Sequence, residues 1–166
     1  ADLGSFNFTA ANDGSVKVTS LKVKRIGVSS DALLSAVYLY DGNNRITDNA
    51  IVSSNFITFN NPNGLFTVAA GTTKVINVRS NISSDNTTGS QVGVAIERAS
   101  DIGSVATITG SFPMNANIMS VSSATLATFA MNATTEPTTT TIDAGQNEIA
   151  VWKNSVSVGQ REVSLE

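Results

Sequence analysis

Short runs in which apolar and polar residues alternate, separated by clusters of turn residues, leave this chain little choice but extended backbone. Phe6, Phe8 and Ala10 share one face of a first strand, and Val16, Val18, Leu21, Val23 and Ile26 mark a long second one. The apolar parity of that second run changes near Thr19-Ser20, which predicts a β-bulge. Val37-Tyr38-Leu39-Tyr40, Asp41-Gly42-Asn43-Asn44 and Arg45-Ile46 read as a hairpin, because Gly and Asn tolerate positive φ. Phe56–Phe59 and Leu65–Val68 flank Asn60-Asn61-Pro62-Asn63-Gly64 and predict a second hairpin. Further strands are expected at 74–79, at Val92 to Ile96, at Val105 with Ile108, at Ile118 with Val121 and along Leu126 to Met131. Ser29 to Ala36 reads either as one helical turn capped by Ser30 or as a loop. The expected fold is an all-β antiparallel sandwich, jelly-roll or immunoglobulin-like, of about eight to ten strands with a detached C-terminal strand.

Composition supports that class. The 166 residues include 21 Ser, 19 Thr and 17 Asn, which suit the exposed faces and turns of strands and compete with helical hydrogen bonds. No stretch approaches the ~18 apolar residues that a membrane-spanning helix needs. With a net charge of −3, a nucleic-acid partner is not expected, since phosphate binding requires a clustered basic surface. The group Lys17, Lys22, Lys24 and Arg25 is read as the solvated face of a strand.

Residues 132–145 break the pattern with six Thr, one Pro, two acids and a single Ile. Such a stretch cannot bury enough to fold alone, and at ~3.1–3.3 Å per residue it could span about 40 Å. Beyond it the chain alternates again, through Ile149, Val151, Trp152, Val156 and Val158, and it carries the sequence's one tryptophan. We therefore divide the chain into a sandwich domain over 1–131, a linker over 132–145 and a C-terminal strand over 146–166.

That last segment copies the first strand. Aligned without gaps, Leu3, Ser5, Phe8, Thr9 and Ala10 fall on Val151, Lys153, Val156, Ser157 and Val158. A turn follows in both copies, and the chain resumes as Val16-Lys17-Val18 or as Val163-Ser164-Leu165. A detached strand with the character of the domain's own first strand can take that strand's place in a neighbouring copy. The alternatives are a strand that folds back onto its own domain and the first strand of a following tandem module. In the donor reading Ile149, Val151, Trp152, Val156, Val158, Val163 and Leu165 are the donor, and Phe6, Phe8, Val16 and Val18 line the acceptor groove. The contact is head-to-tail, and a heterologous contact that does not close builds a filament.

The segments Phe6 to Ala11, Val16 to Leu21 and Val37 to Gly42 resemble the β-sandwich modules of prokaryotic surface-layer and adhesin-like proteins. The detached strand is similar to the donor strand of extracellular fibre subunits, including chaperone–usher pilins and biofilm matrix fibre proteins. Chaperone–usher pilins carry the donor at the N-terminus and most have a disulfide, whereas this chain has neither feature. The resemblance implies a mode of assembly, a cell-surface or extracellular location, and other copies of the chain as partners. The start at Ala1, without methionine, suits a processed exported protein.

Enzymatic chemistry is not expected. Without His or Cys, imidazole bases, thiol nucleophiles and imidazole metal sites are unavailable, and no cofactor motif occurs. Asp41, Asn43 and Asp48 offer oxygen ligands for calcium around one hairpin, although turn chemistry explains them better. Asn7, Asn81, Asn86 and Asn132 begin N-x-Ser/Thr sequons that could carry glycans. A second function class is a monomeric or tandem adhesin or carbohydrate-binding module using Tyr38, Tyr40 and Trp152, with both tyrosines on one face that could equally be core. In the donor reading, Trp152→Ala should weaken subunit association by about 3–5 kcal/mol, the cost of truncating a fully buried indole. The measurement is the critical concentration for assembly, and an unchanged value would remove Trp152 from the contact.

Overall fold

The computed structural model describes residues 1–83, 88–122, 129–132, 141–145, 147–148 and 155–158. The chain divides into two compact units, Ala1–Ser123 and Ala124–Glu166. In the first unit the strands are β1 (Asp2–Thr9), β2 (Val16–Ile26), β3 (Leu34–Asp41), β4 (Asn44–Arg45), β5 (Phe56–Asn60) and β6 (Phe66–Val68). They are followed by β7 (Thr73–Ile82), β8 (Gln91–Ile96), β9 (Ile102–Ser104), β10 (Met114–Asn115) and β11 (Met119–Ser120). The second unit holds β12 (Phe129–Asn132) and β13 (Ser155–Val158). Among the described residues the helical elements are two 3₁₀ turns, Asp31–Leu33 and Ala99–Asp101, and no helix is long and apolar enough to cross a membrane.

The first unit is the expected sandwich. One antiparallel sheet has the order β1-β7-β3-β4, and the other has the order β10-β8-β2-β5, with β6 and β9 also on β2 and β11 on β8. Alternation sends Val37 and Leu39 of β3 and Ile76 and Val78 of β7 inward from the first sheet. From the second sheet come Leu21 and Val23 of β2, Ile57 of β5 and Val94 of β8, and all eight are fully buried. Packing two apolar faces against each other is what removes these side chains from water.

Several local expectations hold. The bulge is present, since Val18 pairs with Ser104 and Ser20 with Gly103, which leaves Thr19 as the extra residue. It explains why Val18 and then Leu21, Val23 and Arg25 are the buried positions of β2. The β3–β4 hairpin closes between Asp41 and Asn44, with Gly42 at φ 59° as the first turn residue. Four other expectations are corrected. The chain over 56–68 makes no hairpin: β5 pairs with Ser20–Lys24 and β6 with Val16–Val18, end to end along the same partner. Asn61–Gly64 form a turn, closed by Gly64 N–H on Asn61 O at 2.8 Å, that loops out and returns without reversing direction. Val105 is fully exposed just beyond β9. The helical-turn reading of 29–36 holds at Asp31–Leu33 with Ser30 at the N-cap, but the Ser30 side chain makes no capping hydrogen bond, and β3 begins at Leu34. Arg25 is buried, not solvated, as described below.

Leu39 lies at the centre of this core with no exposed surface. Leu39→Ala should cost about 2–5 kcal/mol of stability, including the cavity left behind. A urea titration with unchanged slope and a lowered midpoint measures it. A cost below about 1 kcal/mol, the range typical of surface substitutions and mild core swaps, would contradict this packing.

Candidate functional site

Among the described residues, no strand closes the sandwich along one side. Among the described residues β1 pairs with β7 on one edge, and β9 pairs with β2 on one edge. A cavity of about 410 Å³ lies beside β1, with β2, β9 and the segment from Ala106 to Met114 contributing to its wall. It falls in the range of roughly 300–1,000 Å³ usual for binding pockets. Phe6, Phe8, Val16 and Val18, the residues assigned to the acceptor groove from sequence, all line it. Phe6 and Val18 are buried, while Phe8 and Val16 are half-buried. Phe8 meets Phe66 edge to face, with ring centroids 5.0 Å apart.

Sequence reasoning did not include Ile96, Ile102, Ile108, Phe112 and Met114 in the groove, though they line the same cavity. Ile108, Phe112 and Met114 lie in a Ser-, Thr- and Gly-rich stretch without strand periodicity, so only their apolar character in polar surroundings marks them. Asp13 is the one charged residue in the lining. The geometry therefore offers a trough lined mostly by apolar residues along an edge of β1 that has no strand partner among the described residues, the two elements that strand addition uses: backbone groups for affinity and side-chain pockets for register.

In the second unit β12 and β13 pair antiparallel, with Phe129 opposite Val158, Ala130 opposite Ser157, Met131 opposite Val156 and Asn132 opposite Ser155. Val156 and Val158 are 47% and 49% exposed. Ile149, Val151, Trp152, Val163 and Leu165 lie outside the described residues.

The remaining sequence-marked residues do not converge on another site. Tyr38 and Tyr40 stand on the outer face of β3, opposite the core residues Val37 and Leu39, and each ring is stacked by a guanidinium. Arg45 lies 5.2 Å from the Tyr38 centroid and Arg79 lies 4.6 Å from that of Tyr40. The Asp41 carboxylate accepts from Lys74 Nζ at 2.6 Å, whereas Asp48 lines a separate polar hollow with Asn49 and Asn60. Asn43 sits in the exposed turn, and among the described residues no group of three His, Cys, Asp or Glu could hold a metal ion. Asn7 and Asn81 are exposed, Asn132 is the last residue of β12, and Asn86 lies outside the described residues.

The basic group near β2 is dispersed into separate contacts. Lys17 is exposed, Lys22 Nζ lies 4.0 Å from the Phe56 ring centroid, and Lys24 pairs with Glu97. Arg25 is 8% exposed because it ties two loops to the second sheet. Its Nε donates to Asp31 Oδ1 at 2.9 Å, one terminal nitrogen to Ser29 Oγ at 2.9 Å, and the other to Asn55 Oδ1. The backbone joins in, with Arg25 N–H on Asn55 O at 2.7 Å and Asn55 N–H on Asp31 Oδ2 at 3.1 Å. These bonds hold Ser54 and Asn55 at φ 52° and 68°, a left-handed turn that costs energy without glycine. After the bulge Arg25 shares the inward parity of Leu21 and Val23, but alternation does not show the distant partners that let a guanidinium be buried there.

No protein-family model, curated protein or solved structure is significantly similar to this chain.

The Asn55 N–H, and then the Arg25 guanidinium, hold the Asp31 carboxyl below its ordinary value of 3.8. A carboxylate with a depressed folded pKa contributes stability that is present above the unfolded value and lost as pH falls through the folded one. Asp31→Asn should therefore lower stability at neutral pH and flatten the decline below about pH 4. Denaturant midpoints at neutral pH and at pH 3 test this. Equal acid slopes in wild type and variant would show that the ion pair adds nothing.

Proposed function

We propose that this chain is a structural subunit of an extracellular filament or surface assembly, built head to tail by insertion of the C-terminal strand of one copy into the next. The observation that carries this reading is the trough containing Phe6, Phe8, Val16 and Val18 beside the edge of β1 that has no strand partner among the described residues. The C-terminal segment is the natural occupant because it reproduces the alternation of β1 itself: Val156 and Val158 take the parity of Phe8 and Ala10. Added to β1, those valines face the trough while Ser155 and Ser157 continue the outward row of Asn7 and Thr9. Trp152, with Ile149 and Val151 before it, extends the donor, and Val163 and Leu165 follow the turn.

Each subunit then presents a donor at one end of its sequence and an acceptor near the other, so the contact propagates without closing. Exposed Asn7 and Asn81 suit a glycosylated surface protein. The binding-module alternative draws no support from Tyr38 and Tyr40, since arginines already occupy their ring faces.

Deleting residues 146–166 should abolish filaments and leave a domain that associates nonspecifically through its open edge. A peptide of residues 146–166 should restore a monodisperse product, as seen by size exclusion and electron microscopy. A truncated chain that still forms filaments would refute the donor role.

A further inference from the structure

We infer that residues 105–109 are a second acceptor strand, which forms when a strand from another copy of the chain enters the trough between them and β1. This rests on the head-to-tail reading above and adds the other wall of its contact. The segment Val105-Ala106-Thr107-Ile108-Thr109 consists mostly of strong strand formers. Its burial alternates with a period of two: Val105, Thr107 and Thr109 are exposed, while Ala106 and Ile108 are half-buried and Ile108 packs against the core. Yet among the described residues it pairs with no strand and makes no backbone–backbone hydrogen bond. Its Ala106 N–H donates instead to Ser104 Oγ at 3.2 Å. The chain on either side is anchored, through β9 on β2 and through β10 on β8, which holds this backbone beside the trough.

The cavity touches successive residues on both sides, from Phe6 to Ala11 and from Ala106 to Thr109. A strand that turned only one face of side chains to the cavity would line it at alternate positions, so in both stretches the backbone edge faces the space. β1 belongs to one sheet, and 105–109 continues from β9 of the other. A strand placed between them pairs on both of its edges and joins the two sheets along this side. The lining has one charge, Asp13, and the chain from Ile149 to Val158 has one, Lys153, so the C-terminal segment of a second copy brings the opposite sign. In entering, β13 exchanges its four residue pairs with β12 for pairs with β1 and with 105–109.

Residue-resolved hydrogen exchange of the full-length chain, as free subunits below the critical concentration and as filaments, tests this. Pairing along one strand edge protects every second amide. Filament formation should therefore slow exchange by about tenfold or more at alternate amides, both within β1 and within 105–109. Slowing in β1 with none in 105–109 would overturn the inference and keep head-to-tail assembly. Slowing in 105–109 with none in β1 would overturn it by removing β1 as a wall. Equal slowing at every amide of 105–109 would overturn it as well, since simple cover lacks the alternation. Slowing in neither stretch would take the trough out of the contact and refute both readings. Absence of filaments would refute head-to-tail assembly itself, and the inference with it.

Discussion

A β-strand must satisfy its backbone donors and acceptors on two edges, and among the described residues the first strand has a strand partner on one. Everything about the proposed assembly depends on that. The sheet β1-β7-β3-β4 ends at β1, whose inward residues Phe6 and Phe8 reach over a core that the opposing sheet covers incompletely. Beside that edge, β9 and the irregular segment ending at Met114 line a trough among the described residues. In the proposed assembly, one added strand covers both that row of backbone groups and the apolar lining beside it.

The rest of the sandwich is arranged so that this opening does not spread. The central core of Leu21, Val23, Val37, Leu39, Ile76 and Val78 is completely closed. On the side of the second sheet, Arg25 fastens the loops at Ser29–Asp31 and Ser54–Asn55 through three side-chain hydrogen bonds. A buried guanidinium is tolerated only when its donors are satisfied, and the left-handed turn at Ser54–Asn55 persists because Asp31 and Arg25 hold it from both sides. On the outer face of the first sheet, the stacking of Arg45 on Tyr38 and Arg79 on Tyr40 links β4, β3 and β7 across their exposed surface.

Much of this was legible in the residues. Period-two alternation located β1, β2, β3 and β7, the parity change at Thr19-Ser20 marked a real bulge, and Gly42 marked a tight hairpin. The apolar faces so assigned to β1 and β2 supplied Phe6, Phe8, Val16 and Val18, which the fold brings into one trough. The turn at Asn61–Gly64 was misread because turn residues permit a change of direction without saying whether the chain reverses. It does not reverse there, since β2 is long enough to pair with β5 and β6 in succession. Arg25 was misread because its burial depends on Ser29, Asp31 and Asn55, and Asn55 is thirty positions away.

By itself, the sequence determined an all-β sandwich, because alternation with frequent Ser, Thr, Asn and Gly turns allows no other way to bury half of each strand. It also determined that the C-terminal segment has the character of a strand, since its alternation copies that of the first. Tertiary structure decided which strands pair, how β12 and β13 are registered, and where Ile108, Phe112 and Met114 go. Pairing partners and edge vacancies are properties of strand order, and strand order arises from contacts between residues far apart in the chain, which a period of two does not encode.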